Sequence, residues 1–204
     1  MNTGGTHLSA QEIRNCLLIM INKSLFEKIN ELHDNTDFVE CCPLTDNQAD
    51  ERYDLELVVR YLLYIDFSNT FIDSIDKSRS MDTFLTEQLE QYAQTYDELA
   101  RKDHIERFTR IFHLLKETAG ENVFKKYQDD KFRGPVMIAA FESIIPGLFT
   151  NIDYWESHKE DLIIKIQQIY QQPAFINASR RGTRALDRMA QLIKFSRVWF
   201  AHED

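Results

Sequence analysis

Six histidines, three cysteines and 33 carboxylates are the side chains of this 204-residue chain best suited to moving protons or holding metals. Their spacing offers little chemistry. His104 and His113 lie nine residues apart, a poor fit to one metal-binding helix face, and neither belongs to an Asp/Glu-x-x-His arrangement. Cys41, Cys42 and His33 match no C-x-x-C or H-x-x-x-H spacing, and adjacent cysteines do not make a disulfide framework. Cys41 and Cys42 therefore read as ordinary loop cysteines of a reducing compartment. With 17 Asp and 16 Glu, carboxylate pairs arise by chance, so none is singled out as a general acid or base. No G-x-S-x-G or comparable nucleophile motif occurs. Neither a catalytic residue nor a metal or cofactor site is expected from this chain alone.

Two groups of residues point instead to anion contacts. Asn2, Gly4 and Gly5 sit just before Ser9 and Glu12, which form a capping box at a helix start. Paired glycines open backbone conformations closed to other residues, and the free N–H groups of a helix N-terminus favour negative charge. The segment lacks both G-x-x-x-x-G-K-[ST] and G-x-G-x-x-G, so on the residues alone it reads as a plain turn and cap, with a phosphate site as the alternative. Arg180, Arg181, Arg184 and Arg188 form the second group. Arg181, Arg184 and Arg188 fall at i, i+3 and i+7, one stripe if the segment is helical, which suits phosphate contacts to DNA or a solvated face paired with acidic neighbours. Arg60 follows Glu56 by four residues. It reads as a simple helical ion pair, the alternative being a contact reaching toward another protein unit.

The elements that must position these residues read as helices. Expected spans are Ala10 to Ile21, Leu25 to His33, Glu51 to Asp66, and a long pattern from Met81 to Gly120 that is either one helix or two broken near Lys102 to His104. Further helices are expected over Glu121 to Tyr127, Val136 to Ile144, Tyr154 to Gln171 and Thr183 to Ala201, with Pro146-Gly147 punctuating the chain. Asp34 to Asp50, holding Pro43 and several Asn and Asp, reads as a long irregular surface loop. No stretch alternates long enough to predict a strand. The fold class expected is all-α, an irregular bundle of about seven to nine helices in a single domain over 1–204, with a possible subdivision near 120.

Composition agrees with that class. Hydrophobic residues make up 43%, which argues against disorder, while 6 Gly and 4 Pro are too few for a sandwich or barrel rich in turns. The longest apolar run, Cys16 to Ile21, is far short of the roughly 20 residues of a membrane span, and no signal peptide is evident, so a cytoplasmic protein is expected. A net charge of −9 disfavours a surface that binds nucleic acid throughout. From Arg180 onward, however, six basic residues face three acidic ones, about +3 against about −12 for the rest. A specified turn and capping box directly after Met1 also predicts that another element precedes them, in a longer parent or a partner chain.

The segment Asn2-Thr3-Gly4-Gly5-Thr6-His7-Leu8-Ser9-Ala10-Gln11-Glu12-Ile13-Arg14-Asn15 resembles the joint between the two halves of the ParB/sulfiredoxin-like GmrSD restriction proteins, a group first catalogued as a domain of unknown function. Arg52 to Leu62 is similar to that family's R-x-x-D-x-E-L-V-L-R-F-L helix. Phe84-Leu85-Thr86-Glu87 resembles its F-L-N-E, and the stretch from Phe124-Lys125-Lys126 to Phe141-Glu142-Ser143-Ile144 resembles its F-R-x…F-N-x-A-L-F-E-A. The likeness covers most of the chain and is strongest at 2–15 and 51–62. It implies a nucleotide-hydrolysing, DNA-cleaving system directed at foreign DNA. The family's D-G-Q-Q-R motif belongs to an N-terminal α+β half, and neither it nor an H-N-H nuclease pattern occurs here. The resemblance thus implies a helical half that braces a catalytic half or partner protein, with DNA as a further contact and Asn2, Gly4, Gly5 and Arg60 nearest the joint. On the residues alone, an independent helical module that binds another protein is the alternative.

Overall fold

In a computed structural model, which describes residues 8–202, the chain is an all-α bundle carrying one small hairpin. The first helix, α1 (Ala10–Ile21), begins at the expected capping box: the Glu12 N–H donates to Ser9 Oγ, and the Ser9 N–H donates to the Glu12 carboxylate. Asn22 ends α1 and caps α2 (Lys23–His33), so two helices meet at one residue. The bundle continues through α3 (Thr36–Cys41), α4 (Asp46–Asp50), α5 (Tyr53–Asp66), α6 (Asn69–Ser74), α7 (Met81–Thr95) and α8 (Lys102–Thr118). After β1 (Lys126–Gln128) and β2 (Lys131–Arg133) come α9 (Ile138–Trp155), α10 (Lys159–Gln168), α11 (Pro173–Ala178) and α12 (Ala185–Trp199).

Two helices form the interior. Every α5 residue from Leu55 to Tyr64 is buried, as is every α9 residue from Ala139 to Leu148. Helix α5 packs against α2, α7 and α9, while α9 and α12 make the most extensive helix pair. One hydrophobic cluster runs from Leu18 to Phe200, and the Phe112, Phe124 and Phe141 rings carry it across residue 120.

Several expectations need correction. The stretch 34–50 is no irregular loop: Asn35 and Thr45 cap α3 and α4, and Phe38 packs edge-on against Phe112. Polar caps and turn residues dominated the composition there and hid two short helices. Cys41 and Cys42 are buried core residues, with Cys16 exposed. The pattern 81–119 is two helices. Their connection is turned at Asp97, whose carboxylate accepts the Leu99 and Ala100 N–H groups, so the break precedes Lys102. Gly120 at φ +53 does end α8, in the left-handed position that favours glycine.

Residues 121–127 are not a helix. A single 3-10 turn, Gly120–Asn122, leads into the antiparallel hairpin, whose Asp129 and Asp130 both adopt positive φ, as a two-residue type I′ turn requires. Strands of three residues are too short for alternation to show. Pro146-Gly147 does not punctuate the chain either, because both lie inside α9. Pro146 cannot donate to the carbonyl one turn back. The next N–H, of Gly147, donates to Ser196 Oγ at 2.8 Å on α12. A Cβ on Gly147 would sit 2.4 Å from the Ser196 carbonyl oxygen, so the glycine serves the close crossing of α9 and α12. The expected helix 154–171 divides likewise: α9 runs to Trp155 and α10 begins at Lys159.

Candidate functional site

Helix α1 is inverted. Its inward face carries Gln11, Arg14 and Leu18, and the two polar residues are 1% and 0% exposed. Its outward face carries Ile13, Cys16 and Met20, with Met20 82% exposed, and Ile19, Ile21 and the preceding Leu8 are exposed beside them. An amphipathic helix ordinarily turns its apolar stripe to the core. Here a buried arginine and glutamine share the anchoring face with Leu18, and several of the residues offered to the outside are apolar.

The anchor is a chain of buried ions. Arg14 Nε donates to Gln11 Oε1 at 2.8 Å, and its guanidinium pairs with Glu56 on α5. Glu56 Oε1 in turn accepts from Arg60 Nε and Nη2 at 2.9 and 2.7 Å. Arg60 Nη1 lies 3.5 Å from Glu142 on α9 and donates to the Tyr64 hydroxyl. Glu142, fully buried, accepts from Arg188 Nε on α12 at 2.8 Å. Burial lifts the Glu142 carboxyl above its ordinary range, and the positive charges of Arg188 and Arg60 pull against that lift. Three guanidinium groups thus face two carboxylates in the interior, with Asp82 at the rim 3.7 Å from Arg14 Nη1. Buried ion pairs of this kind cost much to desolvate, and removing one partner strands the other.

The sequence-predicted residues are placed as follows. Asn2, Gly4 and Gly5 lie outside the described residues. Arg60 makes its i,i+4 pair with Glu56, but it is 5% exposed and directed at Glu142, so it neither sits on a solvated face nor reaches outward. The stripe of Arg181, Arg184 and Arg188 is not one helix face. Helix α12 begins only at Ala185, Arg184 is its extended N-cap, and Arg188 turns inward to Glu142. Arg180, Arg181 and Arg184 remain exposed on the turn between α11 and α12.

Gln11, Arg14 and Glu142 escaped sequence reasoning. Their signal was present: Gln11, Arg14 and Leu18 share one face at i, i+3 and i+7, and Glu142 is a lone charge inside the apolar run Ile138 to Ile145. His33 faces carboxylates rather than cysteines, with Nε2 2.6 Å from Asp54 and Nδ1 2.9 Å from Asp34. No group of three or more His, Cys, Asp or Glu among the described residues is arranged to hold a metal ion. Among them, too, no helix is long and apolar enough to cross a membrane. No family model, no curated protein and no solved structure matches the chain.

Proposed function

We propose that the chain is the helical half of a GmrSD-like restriction protein, bracing a nucleotide-hydrolysing, DNA-cleaving half that docks on the outer face of α1. The observation that carries this reading is the inversion of α1. The segment that resembles the joint of that family ends in a helix held from behind by ions, with Leu8, Ile13, Cys16 and Met20 facing outward. Contiguous apolar surface of this kind marks an interaction site more often than a free surface. Arg180, Arg181 and Arg184, exposed at the far end of the chain, are proposed as phosphate contacts that position DNA without reading its sequence.

The test is capture of a partner from the native host by the tagged chain. A protein bearing D-G-Q-Q-R is expected to accompany the wild type and to be lost from Met20→Asp. Capture of a partner lacking that motif would favour the stand-alone interaction module instead. Nucleotide hydrolysis by the purified chain without partner would overturn the proposal.

A further inference from the structure

Most lysines and arginines of this acidic chain are engaged by carboxylates, as in Lys116 with Asp37 and Arg110 with Glu156. Others hold backbone carbonyls, as Arg197 does, or a ring, as Lys165 lies over Trp199. Among the described residues, Lys126, Lys131, Arg180 and Arg181 make none of these contacts, and all four fall on two segments, the hairpin and the turn after α11. Those segments flank one cleft of about 650 Å³, lined by Lys126, Tyr127 and Gln128 on one side and by Tyr170, Gln171 and Ser179 on the other. Arg180 and Arg181 follow Ser179 directly, and Lys131 pairs in register with Gln128.

The lining chemistry narrows the ligand. A cleft of that volume falls within the roughly 300–1,000 Å³ range of pockets for small molecules and is too confined for a duplex. Aromatic rings at its wall suit stacking of a base, side-chain amides suit the edges of a base, and Lys126 in the lining, with Lys131, Arg180 and Arg181 on the two segments that flank it, suits phosphates. Asp129 and Asp130 at the hairpin tip also line it and oppose any anion. We infer that this cleft receives an unpaired base of a single-stranded nucleic acid, while Lys126, Lys131, Arg180 and Arg181 hold the flanking phosphates. The inference rests on the reading of Arg180 and Arg181 as phosphate contacts, and it adds the hairpin and the strandedness.

Fluorescence anisotropy of the full chain with a labelled oligothymidylate of about a dozen nucleotides, against the same length as duplex, tests it. The single strand is expected to bind about tenfold tighter than the duplex, with affinity falling steeply as salt rises. Lys126→Glu with Arg181→Glu should lower affinity at least about tenfold. Tyr127→Leu should lower it several-fold at unchanged helicity, and Tyr127→Phe should restore it. Replacing Asp129-Asp130 by Asn-Gly keeps the turn type and should tighten binding. Lys23→Glu, remote from the cleft, should change nothing. Met20→Asp should leave oligonucleotide binding intact, so failure of α1 docking and failure of the cleft are told apart. Equal affinity for duplex, equal affinity for a polyglutamate peptide, or full binding by Tyr127→Leu would each overturn the inference.

Discussion

Arg14 and Glu56, 42 residues apart in the chain, form an ion pair in which the arginine is wholly enclosed. The pair joins the helix that offers an apolar face to the helix at the centre of the bundle. From Glu56 the contacts pass to Arg60, Glu142 and Arg188, so four helices meet through charges as well as through the apolar core.

That network should be costly to break. Glu142→Ala leaves Arg188 without its carboxylate partner and is expected to destabilise the protein by about 3–5 kcal/mol. Glu142→Leu combined with Arg188→Met removes both charges and should cost clearly less than Glu142→Ala alone. Urea denaturation of the three proteins decides it. Equal costs would mean that the pair contributes nothing beyond packing.

The crossing of α9 and α12 makes a second prediction. Gly147→Ala places a methyl group against the Ser196 carbonyl and the Phe200 Cβ, at 2.4 and 2.8 Å. A loss of about 1–3 kcal/mol is expected from the overpacking. Ser196→Ala, which removes the hydrogen bond from the Gly147 N–H to Ser196 Oγ, should cost about 0.5–1.5 kcal/mol as well. Thermal unfolding that matches wild type in both variants would contradict this account.

Thiol chemistry separates the three cysteines. Burial pushes the Cys41 thiol up to about 12 and holds Cys42 well above its ordinary value, while Cys16 faces outward on α1. A thiol reagent should therefore modify the native protein once, at Cys16, and reach the other two only in denaturant. Peptide mapping by mass spectrometry identifies the labelled position. Labelling of Cys41 at a comparable rate would show that α3 opens readily.

The His33–Asp54 contact predicts a dependence on pH. The hydrogen bond to Asp54 raises the His33 pKa against the opposing effect of burial, with Asp34 adding to the rise. A raised folded-state pKa means stability fully present below about 6.5, the unfolded value, and lost as pH rises through the folded value. On the acid side, burial works to raise Asp54, but the hydrogen bonds from His33 and the Leu55 N–H leave it below its ordinary value. Its share of the stability is lost as pH falls through that lowered value. The advantage of wild type over His33→Gln should thus be largest in mildly acidic buffer and shrink toward pH 8 and above. An advantage that grows with pH would refute the pairing.

Much of this architecture was legible in the sequence because local signals carried it. Ser9 with Glu12 marked the start of α1, and the helical period over Glu51 to Asp66 marked α5. What stayed hidden depended on partners remote in the chain. Pro146-Gly147 has the local chemistry of a turn, yet it lies inside α9, where Gly147 packs against Ser196 and Phe200 of the α12 segment. The stripe of Arg181, Arg184 and Arg188 presumed a helix that starts at Ala185 instead, and Glu142 drew Arg188 inward. Arg14 shares a face with Gln11 and Leu18, but the carboxylate that makes its burial tolerable, Glu56, lies 42 residues away. The cleft beside the hairpin needed the fold to bring residues near 127 and 179 together.

The inverted helix α1 has a consequence for alignment. Apolar contacts between helices are forgiving, since sliding one ridge past another by a turn exchanges one set of methyl groups for a similar set. A guanidinium inside the protein has no such freedom, because a shift of one turn would carry Arg14 away from Glu56 and leave the arginine without water or its carboxylate, while Glu56 kept Arg60. The ion pair therefore acts as a key that fixes α1 in one register and one rotation, and Ile13 and Met20 are held at a single address on the outer surface.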